Sequence, residues 1–159
     1  MLGASTLLTS DGDIIRGLGF VTLYSSYAEE EVDNLLERLA PVEIFNDKMK
    51  KWPISRKLGH AARIVRRLAC AELQELEQTL QAVSALFARR NEIVHGRIYA
   101  GFETGDTLRS GRPNTPDRPI EATELYDLAN NFMNCKCALY RPTIFKLPRC
   151  LNAWRSRGA

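Results

Sequence analysis

Residues 13–41 read DIIRGLGFVTLYSSYAEEEVDNLLERLAP. Apolar Ile14, Leu18, Val21, Ala28, Val32, Leu35 and Leu39 recur at intervals of three, four or seven, the repeat of one helix face. The spacing predicts a helix from about Asp13 to Pro41, where the proline ring forbids continuation. Ser10 or Asp11 is the candidate N-cap. Gly17 and Gly19 either weaken the first turns or let another backbone approach closely there.

Beyond Pro41 the period fades as far as Pro53, which reads as a connector with room for one short turn of helix. Helical patterning then runs nearly unbroken from Ser55 to Ile98. A single straight helix of that length would span roughly 66 Å. A globule of this size has a radius of gyration of about 15 Å, so the segment must fold back, most naturally at Cys70-Ala71. That gives a second helix over about 55–69 and a third over about 72–97, the latter striped by Leu73, Leu76, Leu80, Val83, Phe87 and Val94. Gly101, Gly105, Gly111, Pro113, Pro116 and Pro119 then break any helix. A fourth helix over about 123–140 carries Leu125, Leu128, Phe132, Cys135 and Leu139 and is expected to stop at Pro142. No alternating run is long enough for a convincing strand, although 97–104 could be extended. The expected class is all-α, an antiparallel four-to-five-helix bundle with one long irregular loop at about 99–121. All 159 residues are expected to form one domain, with a loosely packed C-terminal tail from about 141.

Composition narrows the function classes. Hydrophobic residues make up 45% and charged residues 26%, the usage of an ordinary folded chain rather than a disordered one. No apolar run approaches the ~18–20 residues of a membrane span, and the N-terminal stretch lacks the basic start of a signal peptide. Four cysteines, Cys70, Cys135, Cys137 and Cys150, are too sparse for a disulfide scaffold and are expected as free thiols of a cytoplasmic protein. On a helix Cys135 and Cys137 point about 200° apart, so they do not chelate one metal together.

The net charge of +3 conceals an uneven distribution. Lys48, Lys50, Lys51, Arg56, Lys57, Arg63, Arg66 and Arg67 follow one another without an intervening acid, and six more bases without an acid follow Leu128. Acids concentrate in 29–47 and 72–77. On the second helix Arg56, His60, Arg63 and Arg67 fall on one ridge, expected to bind a polyanion. Trp52, Tyr99 and Phe102 are candidates for stacking unpaired bases.

The end of the third helix reads Arg90-Asn91-Glu92-Ile93-Val94-His95-Gly96. Asn91 and His95 lie one turn apart on one face. Arg90 falls in line with Phe87 and Val94, where an aliphatic residue would be expected, and a guanidinium on a packing seam needs a partner. Gly96 is a natural helix stop, so His95 sits where the helix gives way to the loop. The grouping suits phosphate chemistry. Arginine matches the spread of phosphate oxygens and keeps its charge; histidine gives or takes a proton near neutral pH. The same residues also admit a plainer role, a histidine placed on the helix dipole and an arginine reaching from the core to solvent.

This motif, late in a long helix of an all-α chain, resembles the HEPN family (higher eukaryotes and prokaryotes nucleotide-binding). Members with an Arg-x(4–6)-His motif are metal-independent endoribonucleases of toxin–antitoxin, antiviral and RNA-processing systems, and they commonly dimerise so that two motifs line one composite cleft. The resemblance implies RNA as substrate, a homodimer, an antitoxin as a further partner, and no metal or cofactor. It implies His95 as general acid/base, Arg90 as the cation on the scissile phosphate and Asn91 as a positioning group, with products ending in a 2′,3′-cyclic phosphate and a 5′-hydroxyl. Arg56, His60, Arg63, Arg67 and Arg97 are the candidate substrate-binding residues. Some members keep the motif yet only bind, so a non-catalytic nucleotide- or RNA-binding or protein-docking module is the alternative. A DNA-binding regulator fits less well, because no helix-turn-helix spacing with a short turn is present.

Overall fold

A computed structural model describes residues 6–101, 105–111 and 113–158. Five substantial helices form the body: α1 (Ile14–Leu39), α3 (Ile54–Leu68), α4 (Gln74–His95), α5 (Ala122–Phe145) and α6 (Leu147–Ser156). A single turn, α2 (Asp47–Lys50), occupies the connector, and a 3-10 turn (Ala71–Leu73) opens α4. Three short strands, β1 (Arg97–Tyr99), β2 (Thr107–Arg109) and β3 (Arg118–Pro119), lie between α4 and α5. The chain is thus an all-α helical bundle with one small sheet.

Each helix end has a local cause. Asp13, rather than Ser10 or Asp11, caps α1, its carboxylate accepting from the Arg16 N–H at 2.9 Å. Asp11 instead accepts from the Tyr126 hydroxyl at 2.6 Å, tying the entry of α1 to α5. Asn46 caps α2. The reversal after α3 falls where expected: Ala69 adopts a left-handed φ of 48° and Cys70 is extended.

α1 and α5 form the most extensive interface. They run in the same sense, with Gly17 against Leu125 and Tyr126, and Tyr27 beneath the Lys136 ammonium. A Cβ on Gly17 would stand 2.9 Å from the Leu125 Cβ. The close approach, not flexibility, is therefore what this glycine provides. Gly19 faces open space. α4 runs antiparallel to α5, as Glu75–Lys146, Phe87–Phe132 and Arg89–Glu124 show. One hydrophobic cluster joins all five helices, from Val21 and Leu35 through Ile64, Leu80 and Phe132 to Leu151.

Four expectations need correction. The bundle is not antiparallel throughout, because α1 and α5, which share the most extensive interface, run in the same sense. α5 does not stop at Pro142 but runs on to Phe145. Proline withholds its N–H from the carbonyl four residues back and crowds that carbonyl, but the residues after it still bond helically: the Thr143 hydroxyl donates to the Leu139 carbonyl at 2.7 Å and the Lys146 N–H to the Pro142 carbonyl at 3.0 Å. Nor is the tail loose: α6 buries Leu147, Cys150 and Leu151, an i, i+3, i+4 stripe, and the Arg157 guanidinium donates to the Leu68 carbonyl at 3.0 Å. Finally, Cys70 and Cys150 are not free thiols. They form a disulfide with a Cα–Cα distance of 6.0 Å, bridging 80 residues of sequence, while Cys135 and Cys137 stay free.

The loop is only partly irregular. Its strands pair antiparallel in the order β1-β2-β3, with Arg97 opposite Arg109, Ile98 opposite Leu108 and Tyr99 opposite Thr107. Leu108 and Ile120 are buried, so this segment anchors to the core through one side of the sheet. No described helix is long and apolar enough to cross a membrane.

Candidate functional site

The last turn of α4 is fixed by Ile93, which is buried. From that anchor, Arg90 and Asn91 emerge half-buried, and His95 is exposed. Phe87 is buried but Val94 only half so, which sets Arg90 at the margin of the packing stripe rather than within it. Its Nη1 donates to the Asn91 Oδ1 at 3.1 Å. Its Nε is buried and unpartnered among the described residues. Helix geometry separates Arg90 and His95 by roughly 140° around the axis and about 7.5 Å along it, but Asn91 and His95 by only about 40°. The structure therefore joins Arg90 to Asn91 directly and sets His95 one turn further, at the helix end.

Gly96 ends α4 with φ −83° and ψ 176°, a conformation open to any residue. Its glycine is required for another reason. A Cβ there would meet the Leu108 Cδ1 at 2.6 Å, the Glu92 carbonyl oxygen at 3.0 Å and the Arg109 carbonyl oxygen at 3.2 Å. β2 lies directly on the end of α4, and His95 stands at the junction of helix and sheet.

Ion pairs lock that junction. Arg118 donates through Nε to Glu92 at 2.8 Å and through Nη1 and Nη2 to Glu124 at 2.9 and 2.8 Å. Arg89 reaches the same Glu124 at 3.3 Å. Glu124 first, and Glu92 second, hold the Arg118 guanidinium above its already high range. Arg109 pairs with Asp117 at 2.9 Å and lies 4.9 Å over the Tyr99 ring. Arg97 and His95 are exposed, and neither has an ion pair among the described residues.

The α3 ridge departs from its expected form. Arg63 makes a bidentate pair with Glu43, both bonds at 2.7 Å, and Arg67 approaches the same carboxylate at 4.0 Å. Arg56 stacks 3.8 Å over Trp52. His60 is buried: its Nδ1 lies 2.8 Å from the Arg63 Nη2, its ring packs edge-on to Trp52, and its Nε2 has no partner among the described residues. Burial pulls the His60 imidazole below its ordinary range; Arg63 and Arg56 act in the same direction and Glu43 opposes. Glu43 is itself held below the usual carboxylate range by its hydrogen bonds from Arg63.

The bases and acids that segregate in sequence meet in space. Lys57 is 2% exposed between Glu29 and Asp33 at 3.1 and 2.9 Å, Lys50 pairs with Glu37 at 2.7 Å, and Arg66 pairs with Glu77. An acid-free run along the chain is not an acid-free surface. Of the stacking candidates, Trp52 lies under Arg56 at 3.8 Å, Tyr99 lies under Arg109 at the longer 4.9 Å and is 45% exposed, and Phe102 lies outside the described residues.

Two shallow concavities lie elsewhere. One of about 270 Å³ is lined by Arg38, Leu151 and Arg155, and one of about 380 Å³ by Arg66, Cys70 and Glu77. Neither reaches His95. Among the described residues no group of three or more His, Cys, Asp or Glu is arranged to hold a metal ion. Sequence reading missed Arg109 and Arg118, whose strands of three and two residues are too short to show alternation. No family model matches the chain, nor does any curated protein or solved structure.

Proposed function

We propose that this chain is a metal-independent endoribonuclease of the HEPN kind, acting as a homodimer. The observation that carries the reading is the placement of His95, exposed at the C-terminal end of α4 one turn from the Asn91 amide that holds Arg90. In this reading His95 takes the proton of an RNA 2′-hydroxyl as its oxygen attacks the adjacent phosphorus. The P–O5′ bond breaks, the leaving 5′-oxygen takes a proton from solvent water, the imidazolium returns its proton to the hydroxide so formed, and Arg90 balances the charge building on the phosphate. Asn91 orients the guanidinium. His95 is exposed at the helix end and neither of the two concavities described above reaches it, so a cleft at His95 takes a second surface, and a second copy of the chain supplies the matching Arg90 and His95.

A toxin or antiviral role, with an antitoxin as partner, follows from the same likeness, whereas the Cys70–Cys150 disulfide removes the free-thiol ground for a cytoplasmic location. The test is product chemistry. RNA incubated with the protein in EDTA should yield fragments ending in a 2′,3′-cyclic phosphate, and a 2′-deoxy residue at the cleaved position should block the cut. Fragments bearing 3′-hydroxyl ends, or cutting unaffected by the 2′-deoxy residue, reject this mechanism. Protein that binds RNA and never cuts it is the non-catalytic module.

A further inference from the structure

We propose that the outward face of the three-stranded sheet is the strip on which single-stranded RNA is held beside His95, with Tyr99 stacking on an unpaired base, Arg97 taking the flanking phosphate and Arg109, held by Asp117, backing the ring. This rests on the RNA reading above for the identity of the ligand, and it replaces the α3 ridge as the binding surface.

The strand register carries it. Side chains alternate across a strand, and residues directly opposite in an antiparallel pair share a face. Arg97 and Tyr99 therefore share one face with their partners Arg109 and Thr107. Ile98 and Leu108 take the other, where Leu108 is buried. Arg97, Tyr99 and Arg109 are all exposed. Asp117 holds Arg109 at 2.9 Å, and the Arg109 guanidinium lies 4.9 Å over one side of the Tyr99 ring, which keeps 45% exposure. Arg97 has no carboxylate partner among the described residues, unlike Arg63, Arg66 and Lys57. Arg97 is two residues from His95, and the site where a Cβ of Gly111 would stand is 3.8 Å from the His95 carbonyl oxygen, so the strip runs up to the candidate acid/base. An aromatic ring flanked by arginines is the arrangement that holds unpaired bases, because every base offers a π-face whatever its sequence.

The test uses an oligodeoxynucleotide of about 12 residues carrying 2-aminopurine, which has no 2′-hydroxyl and is not cleaved. Wild-type protein should bind it and quench the 2-aminopurine. Tyr99→Ala should weaken binding about tenfold or more, the worth of one stacked base, and abolish the quench, whereas Tyr99→Phe keeps both. Arg97→Gln should lower the slope of log affinity against log salt by about 0.7. Arg56→Gln and Arg67→Gln should leave affinity within twofold. The proposal is overturned if Tyr99→Ala binds as wild type does, if the α3 variants carry the loss instead, if a duplex of the same sequence binds equally and indifferently to Tyr99, or if only an acidic peptide binds. Binding with these signatures but no RNA cleavage rejects the nuclease reading and leaves this one standing. Cleavage without them does the reverse.

Discussion

One methyl group added at Gly96 should loosen the junction that carries His95. In Gly96→Ala the new Cβ would sit 2.6 Å from the Leu108 Cδ1, with carbonyl oxygens of Glu92 and Arg109 at 3.0 and 3.2 Å. Leu108 is itself buried, so its side chain cannot swing clear, and backbone oxygens yield only by moving the helix end or β2. Overpacking of this kind costs about 1–3 kcal/mol. At this chain length 1 kcal/mol corresponds to about 2–4 °C in Tm, so thermal unfolding followed by circular dichroism should show a fall of about 2–12 °C. Gly59→Ala is the matched control: Gly59 lies mid-way along α3 with nothing within 4 Å of its Cβ position. There alanine should raise stability by about 0.5–1 kcal/mol through helix propensity and lost unfolded-state freedom. A Gly96→Ala protein that melts at or above wild type would refute the account of why glycine follows His95.

Lys57→Ala should cost about 1–3 kcal/mol by urea titration, below the usual figure for breaking a buried pair because Glu29 and Asp33 are 41% and 28% exposed and can rehydrate; Lys57→Met, which refills the volume, should cost less. The folded-state pKa of His60 lies below the unfolded one, so the unfolded chain protonates first on acidification. Stability is then full above about pH 6.5, falls as pH drops below it and levels off once the folded ring is also charged; His60→Gln should flatten that slope, and an unchanged slope would clear His60 of the effect. Unreduced, denatured protein should titrate two thiols, Cys135 and Cys137, and reduced protein four. Reduction should also lower stability by about 2–4 kcal/mol, since Cys70–Cys150 closes a long loop in the unfolded chain. Sedimentation of the wild type should show a dimer, and a strictly monomeric protein would remove the composite cleft.

The helical frame was legible because it rests on periodicity. Of the stripe read in α1, Val21, Ala28, Val32, Leu35 and Leu39 are buried and Ile14 and Leu18 half-buried, and the need for a reversal between Ser55 and Ile98 follows from length alone. Pro142 misled because a proline near a helix end need not end the helix when the ring and its neighbours Leu139 and Thr143 are buried and hold the last turn against the core. Leu147, Cys150 and Leu151 carried a readable stripe that the assumed stop at Pro142 obscured. The Cys70–Cys150 bond had no local signal, since 80 residues separate its ends. Charge misled in an instructive way: the acid-free run from Lys48 to Arg67 is answered by Glu29, Asp33, Glu37 and Glu43 from the α1 side of the fold. Pairing across a fold is invisible to spacing along a chain. Helix spacing put Asn91 beside His95, one turn away, whereas the contact that forms is from Arg90 to Asn91, its immediate neighbour, a pairing that spacing does not announce; the sheet that brings Arg109 and Tyr99 together likewise depends on a register that strands this short do not declare.

RNA cleavage in EDTA by wild type, Arg90→Ala and His95→Ala, each shown by circular dichroism to keep its helical fold, tests the central claim most directly. The account predicts metal-independent cutting by wild type and its loss in both variants, with His95→Ala still able to bind the uncut RNA. Undiminished cleavage in the two variants, or a wild type that cuts only when a divalent metal is restored, would contradict it.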